Sequence, residues 1–245
     1  MSDRESARAR IEKQAIENFE KRPQNTAVRK TGRITRPVHD PEPTREWFVI
    51  IPVKGTPDAK SRLVASTELA LAIALDTVEA ALAAPGVAQV LVVTSEAASV
   101  VFDDTDAFVV VEHEPGLAVA IATGLETAAD FSEPGRGVAI LLGDLPALRP
   151  AELGDALLAA TAHDRAMVPD SEGTGTTLIT AADGQTHDEH FGPGSAAAHR
   201  AAGYAALDVA ADSGLRSDVD TPASLTALAS RVGSRTAGHL TTITP

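Results

Sequence analysis

Cysteine is absent from this 245-residue chain, which removes thiolate metal sites, thiol catalysis and disulfides from consideration. Long apolar runs are also missing. The longest, such as LALAIAL at 69 to 75, fall far short of the roughly 20 residues a membrane-spanning helix needs. The start, MSDRESARAR, has no apolar stretch of the kind that drives secretion, so a cytoplasmic protein is expected. There is no internal repeat, no low-complexity tract, and neither a Walker A nor a GxGxxG motif. Basic residues are scarce in most of the chain. Residues 1 to 46 hold 11 Lys and Arg against 8 Asp and Glu, which leaves 10 against 26, a net of −16, for residues 47 to 245. A surface of that sign repels nucleic-acid phosphates, and any phosphate ligand must be held by a local cluster of cations or by a metal.

The balance of 44% hydrophobic and 22% charged residues is that of a packed globular protein. Residues 1 to 46 are polar and broken by Pro23, Pro37, Pro41 and Pro43, and they read as a flexible N-terminal extension to a domain spanning 47 to 245. From Trp47 onward, short apolar runs alternate with Ala-rich helical segments. WFVIIPV (47 to 53), QVLVVT (89 to 94), AFVVVE (107 to 112), VAILLGD (138 to 144), RAMVP (165 to 169), TTLIT (176 to 180) and AALDV (205 to 209) read as strands. Helices are predicted over 66 to 84, with Ser66 as cap and Pro85-Gly86 as stop, and after Gly116, Pro150, Ser195 and Pro222. This alternation predicts an α/β fold: a mainly parallel mixed sheet with helices on both faces, in three α/β/α layers. Ligands in such sheets bind beyond the carboxyl ends of the strands.

Several segments should meet on that edge. PVKGTPDAKSRL (52 to 63) holds Lys54 and Lys60, the only lysines after residue 46, and Arg62; such a cluster suits an extended polyphosphate. In LLGDLP (141 to 146), Asp144 follows an apolar strand. GLRSDVDTP (214 to 222) sets Asp218 and Asp220 one residue apart, and on an extended backbone both project from the same face. Two such carboxylates repel unless a cation lies between them or one is protonated, and Mg²⁺, which prefers oxygen ligands, is the natural candidate. Capping of the last helix by Asp220 or Thr221 is the competing reading of that triplet. FGPGSAAAH (191 to 199) offers an anion seat, with Gly192 and Gly194 permitting close approach and Ser195 opening a helix with free N–H groups. PDSEGTGTTLIT (169 to 180) adds the hydroxyls of Thr174, Thr176 and Thr177, enough for a small phosphorylated acid. His187, His190 and His199 invite a metal reading by spacing, but no cysteine supports it and isolated histidines are more often structural.

PVK...AKSRL, LLGDLPAL, PD..GTGTTL, FGPGS...H and GLR.DVDTP occur in this order, and together they resemble the guanylyltransferases of coenzyme F-420 biosynthesis. Those enzymes couple GTP to phosphoenolpyruvate or 2-phospho-L-lactate and release pyrophosphate. The resemblance covers about residues 47 to 230 and implies a GT-A-like nucleotidyltransferase fold. It implies Asp144, Asp218 and Asp220 as Mg²⁺ ligands and catalytic residues together with Lys60. It also implies Lys54, Lys60 and Arg62 on the GTP phosphates, and Thr177, Gly192 and Ser195 on the phosphorylated acid. Partners implied are GTP and a phosphorylated carboxylic acid; hand-off to a downstream transferase and a homodimer stay open, and charge and the short apolar runs argue against nucleic acid and membrane. One departure is Ala118, where related nucleotidyltransferases usually carry an Asn that helps to hold the nucleotide. A GT-A glycosyltransferase acting on a nucleotide sugar and a non-catalytic nucleotide-binding protein remain as rival readings. Release of pyrophosphate from GTP separates the first from the expected activity.

Overall fold

The computed structural model describes residues 46–53, 67–112, 114–131 and 133–243. Seven strands form one sheet: β1 (Trp47–Pro52), β2 (Val87–Thr94), β3 (Phe108–Val111), β4 (Gly137–Leu141), β5 (Arg165–Pro169), β6 (Thr176–Ala181) and β7 (Ala205–Ala206). Their order is β3-β2-β1-β4-β6-β5-β7. Every pairing is parallel except those of β6, which runs against both β4 and β5. The sheet is therefore mixed and mainly parallel, as the alternating pattern predicts. The helices are α1 (Thr67–Leu82), α2 (Glu96–Ser99), α3 (Leu117–Asp130), α4 (Pro150–Ala160), α5 (Ser195–Ala201), α6 (Pro222–Leu228) and α7 (Ser234–Ile243).

Apolar alternation explains the layers. Val49, Ile51, Val90, Val92, Ala139 and Leu141 pack with Ala74, Val78 and Ala81 of α1 and with Leu153, Ala156 and Leu157 of α4. Ile50 and Val93 turn to the other face, where α3 lies so close that a Cβ on Gly124 would come within 2.5 Å of Ile50 Cγ2. Only glycine permits that approach. No helix among the described residues is long and apolar enough to cross a membrane.

The structure departs from the sequence reading at three places. The β4 strand ends at Leu141 rather than at Asp144, although Leu142 N–H still donates to Thr177 O at 2.9 Å. The seventh strand is only two residues long: Leu207 N–H still reaches Met167 O at 2.9 Å, but the Val209 carbonyl is taken by the Arg216 guanidinium at 3.2 Å. A further helix, α7, follows α6. Its N-terminus is capped from a distance: the buried Asp76 carboxylate of α1 accepts from Arg235 N–H at 3.0 Å and Thr236 N–H at 2.9 Å. A tertiary cap leaves no local sequence signal.

Candidate active site

The segment after β4 is the hub. Leu145 N–H donates to the Thr77 hydroxyl of α1 at 3.1 Å, Val219 N–H donates to Asp144 O at 3.0 Å, and Gly233 N–H donates to Pro146 O at 2.8 Å. Gly214 sits against the Ala147 carbonyl so tightly that a Cβ would collide with it. These contacts tie residues 144 to 148 to the 3-10 turn Gly214–Arg216, which immediately precedes Asp218.

Val219 is fully buried in a small cluster with Leu69 and Ile73 of α1 and Leu225 of α6. Val219 is thus the buried member of the triplet Asp218-Val219-Asp220. Asp144 and Asp218 are half-buried and Asp220 is exposed. Burial, together with the Asp144, Asp220 and Asp170 carboxylates, pushes Asp218 up from 3.8 to about 7. Asp144, distant in sequence, thus comes close enough for Asp218 to feel its charge as well as that of Asp220. Among the described residues, no three Asp, Glu or His side chains close into a ready-made metal cluster. The helix cap beside them is Thr221, whose hydroxyl accepts from Ser224 N–H at 3.1 Å, so Asp220 is not spent on capping.

Two residues that sequence reasoning passed over shape this region. Arg216 donates to Pro169 O, Asp170 O and Val209 O at 2.8 to 3.2 Å, clamping the end of β5 to the turn before Asp218. Asp170 folds its own loop by accepting from Thr174 N–H at 2.9 Å and Gly175 N–H at 2.7 Å. The Arg216 guanidinium is thus committed to backbone carbonyls.

Thr177 and Ser195, expected on the phosphorylated acid, are both buried. The Thr177 hydroxyl donates to Leu215 O at 2.7 Å, and the Ser195 hydroxyl donates to Thr176 Oγ1 at 3.1 Å. Gly192 is exposed, with φ +133° and open space beside it. The anion seat expected from free N–H groups at the start of α5 is corrected. Ser195 N–H donates to Gly192 O, Ala196 N–H to Thr174 O and Ala197 N–H to Gly194 O, each at 3.1 Å, so these N–H groups already have backbone partners, one of them in the loop between β5 and β6. Lys54, Lys60 and Arg62 lie outside the described residues, as does Ser66.

The histidines are structural. Buried His199 accepts from His190 N–H on Nε2 at 2.9 Å, which leaves its Nδ1 proton for Thr176 Oγ1 at 3.0 Å. His187 Nε2 donates to Val138 O at 3.1 Å, and its Nδ1 accepts from Tyr204 O–H at 3.2 Å. Burial lowers both to about 4, so both rings are neutral at pH 7.

The MobA-like NTP transferase domain family matches residues 65–219. A phosphoenolpyruvate guanylyltransferase from Streptomyces coelicolor is 46% identical over 201 residues, covering 78% of this chain and 94% of the relative. The chain belongs to the phosphoenolpyruvate guanylyltransferase family. It is accordingly a nucleotidyltransferase, and its fold is that of solved nucleotide-handling proteins. A Desulfovibrio desulfuricans G20 structure named for the nucleotide-diphospho-sugar transferases superposes with TM-score 0.55 at 19% identity, covering 78% of this chain and 92% of that one. A Mycobacterium tuberculosis H37Rv structure, determined in complex with manganese, has TM-score 0.50 at 19% identity, covering 76% and 98%. The MobA-like NTP transferase match contains the Asp144 hub and Asp218.

Proposed function

We propose that this chain transfers GMP from GTP to phosphoenolpyruvate, releasing pyrophosphate, with 2-phospho-L-lactate as the alternative acceptor and coenzyme F-420 biosynthesis as the setting. The observation that carries the reading is the meeting of Asp144 with Asp218 and Asp220 on the carboxyl edge of a chain 46% identical to a phosphoenolpyruvate guanylyltransferase.

The donor set fits a hard divalent cation: it is made of carboxylate oxygens alone, and burial together with the neighbouring carboxylates raises Asp218. Asp144, Asp218 and Asp220 would hold Mg²⁺, with substrate phosphate oxygens completing the coordination. When bound, the ion supplies positive charge against the triphosphate in an acidic protein. The manganese complex of the Mycobacterium tuberculosis structure supports a divalent ion in this fold.

The residues of the chain do the remaining work. Lys54, Lys60 and Arg62 offset the phosphate charge and orient the chain of phosphates for in-line displacement. The attacking oxygen belongs to the acceptor's own phosphate. With a second pKa near 6, that phosphate is largely dianionic at pH 7 and needs no protein base. The new bond joins it to the α-phosphorus as the bond to pyrophosphate breaks. Thr177 holds Leu215, and through it the turn leading into Asp218, while the loop around Gly192 leaves open space for the acid.

The test is a mass-spectrometric assay with GTP, Mg²⁺ and, separately, phosphoenolpyruvate, 2-phospho-L-lactate and 3-phosphoglycerate, with and without the downstream transferase. A GMP adduct of phosphoenolpyruvate with matching pyrophosphate is expected, and folded Asp220→Asn should form none. Wild-type turnover by that variant would remove the metal role.

A further inference from the structure

At the carboxyl ends of β2 and β3, three buried polar atoms have no hydrogen-bond partner among the described residues: the Thr94 hydroxyl, the Ser95 hydroxyl and Glu112 Oε2. Thr94 is fully buried, and the other two atoms are shut away from solvent. The backbone brings Glu112 beside the end of β2, because Glu112 N–H donates to Thr94 O at 2.9 Å; the Thr94 side chain itself turns to the opposite face of the sheet. Ser95 stands at the N-cap of α2 yet makes no capping bond. Its backbone continues extended (φ −72°, ψ 158°), so it falls on the same sheet face as Val93. Val93 pairs with Val110, and Glu112, two residues on, shares that face.

Unmet buried polar groups are costly, and Val or Ala at these positions would avoid the cost. Burial also raises the Glu112 carboxyl above its ordinary range. They occur on the edge that carries Asp144, separated from β4 only by β1 in the order β3-β2-β1-β4. Nearby, Ala118 is exposed at the start of α3 and offers no polar group to a base.

We propose that Glu112, with Ser95 beside it, reads the guanine of the donor nucleotide. This rests on GTP being the donor. Guanine presents two adjacent donors, N1–H and the 2-amino group, which one carboxylate can accept together. A hydroxyl donates to O6. Adenine offers an acceptor at N1, which a carboxylate opposes, so the same pair that welcomes guanine rejects adenine.

Titration calorimetry of the full chain with Mg²⁺ and GTP, ITP, XTP or ATP, and no acceptor acid, tests this. ITP lacks the 2-amino group, so wild-type protein should bind GTP about ten- to a hundredfold more tightly than ITP. Glu112→Gln should erase that gap and shift preference toward XTP, because the amide donates to the 2-oxo group while accepting from N1–H. Glu112→Asp, which withdraws the carboxylate by one methylene, should also lose most of the gap and serves if the Gln variant does not fold. An unchanged GTP-to-ITP ratio in either variant, or no gap in the wild type, overturns the proposal. A wild-type protein that selects guanine but transfers no GMP would sink the proposed reaction alone. GMP transfer with unchanged selectivity in the variants would sink the guanine reader alone.

Discussion

Replacing Asp218 with Asn should stabilise the metal-free protein while abolishing its chemistry. Burial and three neighbouring carboxylates hold Asp218 at about 7, against an ordinary 3.8. A carboxyl raised on folding favours its protonated form in the fold, so the wild type is fully free of penalty below 3.8 and loses stability as pH climbs toward 7. At 1.36 kcal/mol per pH unit, the limit of that loss is about 4 kcal/mol. Water reaching a half-buried group reduces it, and on the order of 1–3 kcal/mol is expected. For a domain of this size, each kcal/mol moves Tm by about 2–4 °C. The assay is thermal unfolding of both proteins in EDTA from pH 4 to pH 8. The Asp218→Asn advantage should widen through that range and level off above pH 7. A difference independent of pH, or a variant less stable than wild type at pH 8, would refute the claim that burial and the neighbouring carboxylates raise Asp218.

Thr177→Val should cost about 1–3 kcal/mol by leaving the Leu215 carbonyl without its donor, and it should lower kcat for GMP transfer by loosening the turn before Asp218. Thr177→Ser should restore both; a raised KM for the acid alone, with stability intact, would instead mark Thr177 as a substrate contact. Neutral, buried His187 and His199, lowered to about 4, contribute stability that is complete above their ordinary 6.5 and fades as pH falls toward 4. In the Asp218→Asn background, where the opposing carboxyl no longer titrates, the loss should be on the order of 2 kcal/mol and accompany faster amide exchange over residues 183 to 194. No exchange change there below pH 5 would mean the loop does not depend on these rings.

Much of the fold was legible because its signals are local. Apolar runs such as WFVIIPV and RAMVP have strand length and are bounded by turns or caps, and Pro150 and Pro222 begin the helices they were expected to begin. The reversal of β6 was not specifically legible, since Thr176–Ala181 has the same apolar character whichever way it runs. Nor was the second half of AALDV, where a distant arginine competes for the carbonyl that would have extended β7.

The site divides along the same line. Sequence alone determined the kinds of groups available: carboxylates at 144, 218 and 220, the cations Lys54, Lys60 and Arg62 in the stretch before α1, and no thiol chemistry. It also showed that Asp218 and Asp220 would share a face if that stretch were extended. Only the tertiary structure decided that Asp144 joins them, through Val219 N–H on its carbonyl and Gly214 pressed against Ala147. Only it decided that the Thr177 and Ser195 hydroxyls are committed to protein partners while those of Thr94 and Ser95 are not. Hydrogen-bond satisfaction is a property of neighbours brought together from distant parts of the chain, and a residue's type shows what it can donate or accept but not what it meets.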